Sequence, residues 1–126
     1  MQDEPRPDEI LTAIAAFLKG AATRESGPHI AFQLRVSANA AEICQRQLTL
    51  GPPAEAEELA RLKSLLGADG DLPTLNRELA RRIRDGEMDL STPGLVEHLW
   101  PTTMAKLAVD QPNYSGYRAA LAERGT

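Results

Sequence analysis

The chain has 126 residues, 42% of them hydrophobic and 25% charged, with a formal charge of −4. That size and balance fit one folded domain and exclude a disordered tail or a core that needs cross-links. The acidic balance argues against a nucleic-acid partner, and no apolar run approaches the ~18 residues of a membrane span.

Ile and Val together number only eight, against a background rich in Ala and Leu. Straight-chain residues and alanine lose little entropy in a helix, so the composition predicts an all-α fold. Residues 1–6 read as a loose arm, 7–112 as a single helical bundle, and 113–126 as a tail. The amino-terminal residues are acidic and lack an apolar stretch, so no secretory signal is expected. A lone Cys44 makes no intrachain disulfide, which points to a cytoplasmic protein.

Pro7 suits a first helical turn, with Asp8 and Glu9 at the positive end of the helix dipole. Ile10, Ile14, Phe17, Leu18 and Ala21 then recur with helical spacing, and Phe17 is expected in the core. Ser26-Gly27-Pro28 restarts the chain. Ile30, Phe32, Leu34 and Val36 alternate as a strand would, but no second alternating run exists to pair with them. Residues 28–50 are therefore predicted as one long central helix, the most buried, with Phe32 in the core and Cys44 as a small buried hydrophobe.

Gly51-Pro52-Pro53 is expected to end that helix and open a third, which Gly67 terminates. Asp71 caps a fourth, with Leu72, Leu75, Leu79 and Ile83 inward and Gly86 at its end. Thr92-Pro93 opens a fifth, in which Pro101 should produce a kink or break near Trp100. Trp100 itself reads equally as core or as an interface anchor. A short tail helix is placed from Ser115 to Glu123. The expected architecture is a bundle of about five mainly antiparallel helices.

Chemistry-bearing motifs are sparse. Asp69-Gly70-Asp71 starts like a calcium loop, but Thr74 and Ala80 occupy the positions that need Gly and Glu. His29 and His98 share no metal-ligand spacing and read as surface or half-buried residues, so neither a metal nor a cofactor is expected. No nucleophile elbow or phosphate loop occurs, no catalytic residue is assigned, and the balance leans away from an enzyme. Arg77, Arg81, Arg82 and Arg84 are offset by Asp71, Glu78, Asp85 and Glu87, so this face reads as solvated ion pairs.

One polar stripe stands out. Arg35, Asn39, Glu42 and Arg46 are spaced four, three and four along the second helix, and Lys106 and Asp110 are four apart on the fifth. An ordinary solvent-facing stripe is one reading. The other makes Arg35, Asn39, Lys106 and Asp110 a polar cluster between the two helices, fixing their packing or receiving a carboxylate or phosphate.

Three stretches carry a family resemblance: Leu34-Arg35-Val36-Ser37-Ala38-Asn39-Ala40, Leu75-Asn76-Arg77-Glu78-Leu79, and Lys106-Leu107-Ala108-Val109-Asp110-Gln111-Pro112-Asn113-Tyr114. Together they resemble a bacterial family of small helical domains of unknown function, over roughly residues 5–115. Members of that family occur alone, or fused or adjacent to aminoglycoside-phosphotransferase-like kinases and acyl-CoA dehydrogenase-like proteins. The resemblance implies a helical fold and a partner of one of those two kinds, but no mechanism. The expected function is a non-catalytic accessory or interaction module, self-associating as a homodimer. The alternative is a small-molecule binder or enzyme using the polar cluster.

Overall fold

A computed structural model describes residues 4–124. Among these there are five helices and no strand: α1 (Pro7–Arg24), α2 (Pro28–Leu66), α3 (Leu72–Arg84), α4 (Leu95–Asp110) and α5 (Ser115–Arg124). The fold is all-α, as composition and periodicity predict. The chain divides into two compact units, Met1–Gly51 and Pro52–Thr126. The first part of α2 belongs to one and its remainder to the other.

In the first unit, Pro7 takes the first helical position and the Arg6 backbone N–H donates to the Glu9 carboxylate at 2.8 Å. That cap by the Glu9 carboxylate, with proline at the first position, sets where α1 begins. Of the expected arm over 1–6, residues 1–3 lie outside the described residues. The buried hydrophobic residues here are all alanines, Ala15 and Ala22 on α1 and Ala31 and Ala38 on α2. Each pair is seven residues apart, hence on one helix face. Small side chains on the inward faces let two helix backbones approach closely. An ion pair between Lys19 and Glu42 ties α1 to α2 at the edge of that alanine seam.

This seam corrects several expectations. Phe17 is 69% exposed and Phe32 57%, so neither is core, and the stretch 28–50 is not the most buried segment. Two residues beyond Ala15 a helix has turned about 200°, which carries Phe17 to the far side. Cys44 is an exposed free thiol for the same reason, since it lies off the line of Ala31 and Ala38.

Gly51-Pro52-Pro53 also behaves differently from expectation: α2 runs through it without a stop. A proline ring holds φ near the helical value, so helical backbone is compatible with both positions while each proline lacks an N–H. Gly51 relieves the clash that a residue before proline normally suffers, and a Cβ there would collide with the Gln47 side-chain amide.

The core of the second unit is leucine-rich. Leu62 and Leu66 of α2, Leu75 and Leu79 of α3, Met88 of the following loop and Leu95 of α4 pack together, flanked by Leu59, Leu65 and Leu72. The expected punctuation holds on this side of the chain. Gly67 (φ +61°) and Gly86 (φ +76°) lie just past α2 and α3, and the Asp71 carboxylate accepts from the Thr74 N–H at 2.9 Å. The next helix starts later than expected, because Thr92 is held in a turn whose hydroxyl accepts from the Asp89 N–H. Its first residue is Leu95, after Gly94 in the left-handed region at φ +89°. Pro101 sits inside α4 without breaking it. The expected tail helix is present as α5, which contacts α4, with Arg124 5.0 Å from the centroid of the Trp100 ring.

Candidate functional site

The residues singled out from spacing are distributed as follows. Arg35 and Asn39 belong to the first unit, Lys106 and Asp110 to the second, and all four side chains are exposed. Glu42 and Arg46, which continue the stripe on α2, are half-buried and face α1, where Glu42 pairs with Lys19. The stripe is thus divided between solvent and an interhelical ion pair.

The arginine-rich face of α3 is a network of ion pairs, as its charge balance predicts. Arg81 reaches Glu78 at 2.9 Å, Asp85 at 3.1 Å and Glu87 at 2.9 Å, while Arg82 donates to Glu78 at 2.8 Å. Hydrogen bonds from Arg81 and then Arg82 hold the Glu78 carboxyl at about 2, well below its ordinary value. The same bonds raise the Arg81 guanidinium. These cations are committed to their own carboxylates, which leaves them poorly placed to receive a phosphate.

A more distinctive arrangement lies between α2 and α4, wholly within the second unit. Arg61, three residues before Ser64 and four before Leu65, falls on the flank of α2 beside the leucine core. His98 follows Leu95 by one turn, which takes it inward: it is 2% exposed and the one buried polar residue among those described. This corrects the expectation of a surface or half-buried histidine. His29 is exposed. Arg61, Ser64, Leu65, Pro93, Glu97 and His98 line a cleft of about 340 Å³.

The polar groups here are only partly satisfied. Arg61 Nη2 donates to the Thr102 hydroxyl at 3.1 Å, and that hydroxyl donates to the His98 carbonyl at 2.9 Å. Arg61 Nε and His98 Nδ1 are enclosed and have no hydrogen-bond partner among the described residues. An enclosed polar atom without a partner costs about 1–3 kcal/mol, so two within one site ask for a reason. Burial, reinforced by the Arg61 guanidinium and opposed by Glu58, pushes the His98 imidazole below its ordinary value. It is therefore neutral at pH 7, with one N–H to give and one lone pair to receive.

The sequence held a signal for this site that spacing alone did not exploit. Leu95, His98 and Thr102 are three and four apart, so they share the face of α4 that Val109 extends. A histidine inside an apolar periodic run is a candidate for burial, and a buried histidine must find partners.

Among the described residues, no group of three or more His, Cys, Asp or Glu side chains is placed to hold a metal ion. No described helix is long and apolar enough to cross a membrane. A family model for a domain of unknown function, DUF6285, matches residues 24–114. The match takes in α2, α3 and α4 and leaves out nearly all of α1. No curated protein and no solved structure matches the chain.

Proposed function

This chain belongs to the DUF6285 family, and from that premise we propose that it is a non-catalytic interaction module working through the apolar side chains of its first unit. The observation that carries this reading is the exposure of Phe17 at 69% and Phe32 at 57%, both large aromatics. Each has an exposed aliphatic neighbour on its own helix, Ile14 three residues before Phe17 and Val36 four residues after Phe32. Exposed apolar groups of this kind mark contact surfaces, and aromatics supply most of the energy of such contacts.

The first partner is a second copy of the chain, since twofold dimers are the commonest assemblies. The second is a kinase-like or acyl-CoA dehydrogenase-like enzyme, the partner class suggested by the setting of the family it resembles.

Sedimentation at tens of micromolar, roughly where weak contacts become visible, tests the first part. The wild type should sediment as a dimer, and Phe17→Glu with Phe32→Glu as a monomer of unchanged helicity. A wild type that stays monomeric overturns self-association. Gel filtration with a kinase-like or dehydrogenase-like protein encoded beside the chain tests the second part, and separate elution overturns it.

A further inference from the structure

We infer that the cleft between α2 and α4 binds a small carboxylate-bearing molecule, held by Arg61 and His98. Arg61 Nε and His98 Nδ1 are both without partners among the described residues, and their side chains line the same cleft. A guanidinium never loses its charge, so an Arg61 N–H without an acceptor is a standing demand for an oxygen. Among the described residues no carboxylate lies within ion-pair distance of Arg61; its one recorded acceptor is the uncharged Thr102 hydroxyl.

That hydrogen bond holds the guanidinium in place until a ligand enters. One Nη2–H is engaged by Thr102, which leaves the enclosed Nε–H among the guanidinium donors open to a ligand, and a neutral His98 protonated on Nδ1 supplies a further N–H. Two N–H donors on the lining of one cleft match the two oxygens of one carboxylate. Ser64 adds a hydroxyl to the lining. The cleft also opens on the first turn of α4, the positive end of that helix's dipole.

The rest of the lining narrows the class. Leu65 and Pro93 form an apolar wall suited to a short aliphatic body, and about 340 Å³ accommodates a small molecule. Glu97 places a negative charge on the same cleft, which opposes a dianion such as phosphate more than a monoanion. Both nitrogens are enclosed, so the ligand's oxygens reach them through a rotamer change of Arg61, whose side chain is only half-buried.

Titration of the full chain with sodium butyrate, followed by NMR of the Arg61 Nε–H and His98 ring signals and by thermal melting, tests this. Butyrate should shift both sets of signals and raise Tm; inorganic phosphate should bind at least tenfold more weakly. Arg61→Gln should abolish the response. Should that variant fold poorly, Glu97→Gln keeps the test open: it leaves the donors intact and should tighten phosphate binding several-fold. The inference is overturned by no shift at roughly 50 mM butyrate, a level that saturates even a millimolar site, or by an equal response in Arg61→Gln. It is also overturned by phosphate binding as tightly as butyrate, by an unchanged phosphate affinity in Glu97→Gln, or by a direct Arg61 Nε–H to His98 Nδ1 hydrogen bond that persists in the presence of butyrate.

Discussion

Arg61 and Thr102, 41 residues apart, are joined by a hydrogen bond of 3.1 Å that ties α2 to α4. Thr102 replaced by valine keeps its shape but loses both this acceptor and the bond to the His98 carbonyl. Thr102→Val should lower stability by about 0.5–1.5 kcal/mol, read as a lower denaturation midpoint at unchanged slope.

Gly94 precedes α4 at φ +89°, and a Cβ there would lie 3.3 Å from Leu65 Cδ1. Gly94→Ala therefore meets backbone strain and a tight contact together. A loss of about 1–3 kcal/mol is expected, and an unchanged urea midpoint would contradict it.

Acid should act on the second unit through His98. Its folded-state pKa is lowered from 6.5, so below that value the unfolded chain binds the proton more readily than the folded one. Stability from this residue is complete above 6.5 and declines as pH falls through the lower folded value. Denaturation midpoints measured from pH 7.5 to 5 should fall, and His98→Gln should flatten the curve.

Glu78 should stay ionised far into acid. Its carboxyl titrates at about 2 in the folded state against 4.5 ordinarily, because Arg81 and Arg82 donate to it. The stability it supplies is present above 4.5 and disappears as pH falls towards 2. Carbon-detected NMR should show this low midpoint, with added salt moving it towards the ordinary value, since the pair is open to screening.

The features legible in the sequence are those decided by local chemistry. Pro7, Asp71, Gly67 and Gly86 mark helix ends because caps and left-handed glycines act within a turn of themselves. Segment 28–50 reads as helix despite its alternating Ile30, Phe32, Leu34 and Val36 because the sequence offers no second alternating run to pair with. Burial was harder to read, since it depends on which face a neighbour takes. Alanines 15, 22, 31 and 38 occupy the inward line in the first unit, so Phe17, Phe32 and Cys44 turn outward although their residue types suggest a core. His98 is the reverse case, a polar residue carried inward by its register with Leu95. The Arg61–His98 site was missed for that reason: its two halves are 37 positions apart and become related only through the helices that carry them.

Pro52 and Pro53 lie inside α2 but withdraw two successive N–H donors from it. Helix propagation is driven by one new bond per residue, and across these two positions it gains none. Unwinding that begins on either side therefore meets a natural stopping place at the boundary between the two units. Amide exchange along α2 should fall into two protection plateaus, one up to residue 51 and one from 54 onward. A single helix by geometry, α2 is two helices by thermodynamics, and the Gly-Pro-Pro triplet works as an insulator between two cooperative blocks.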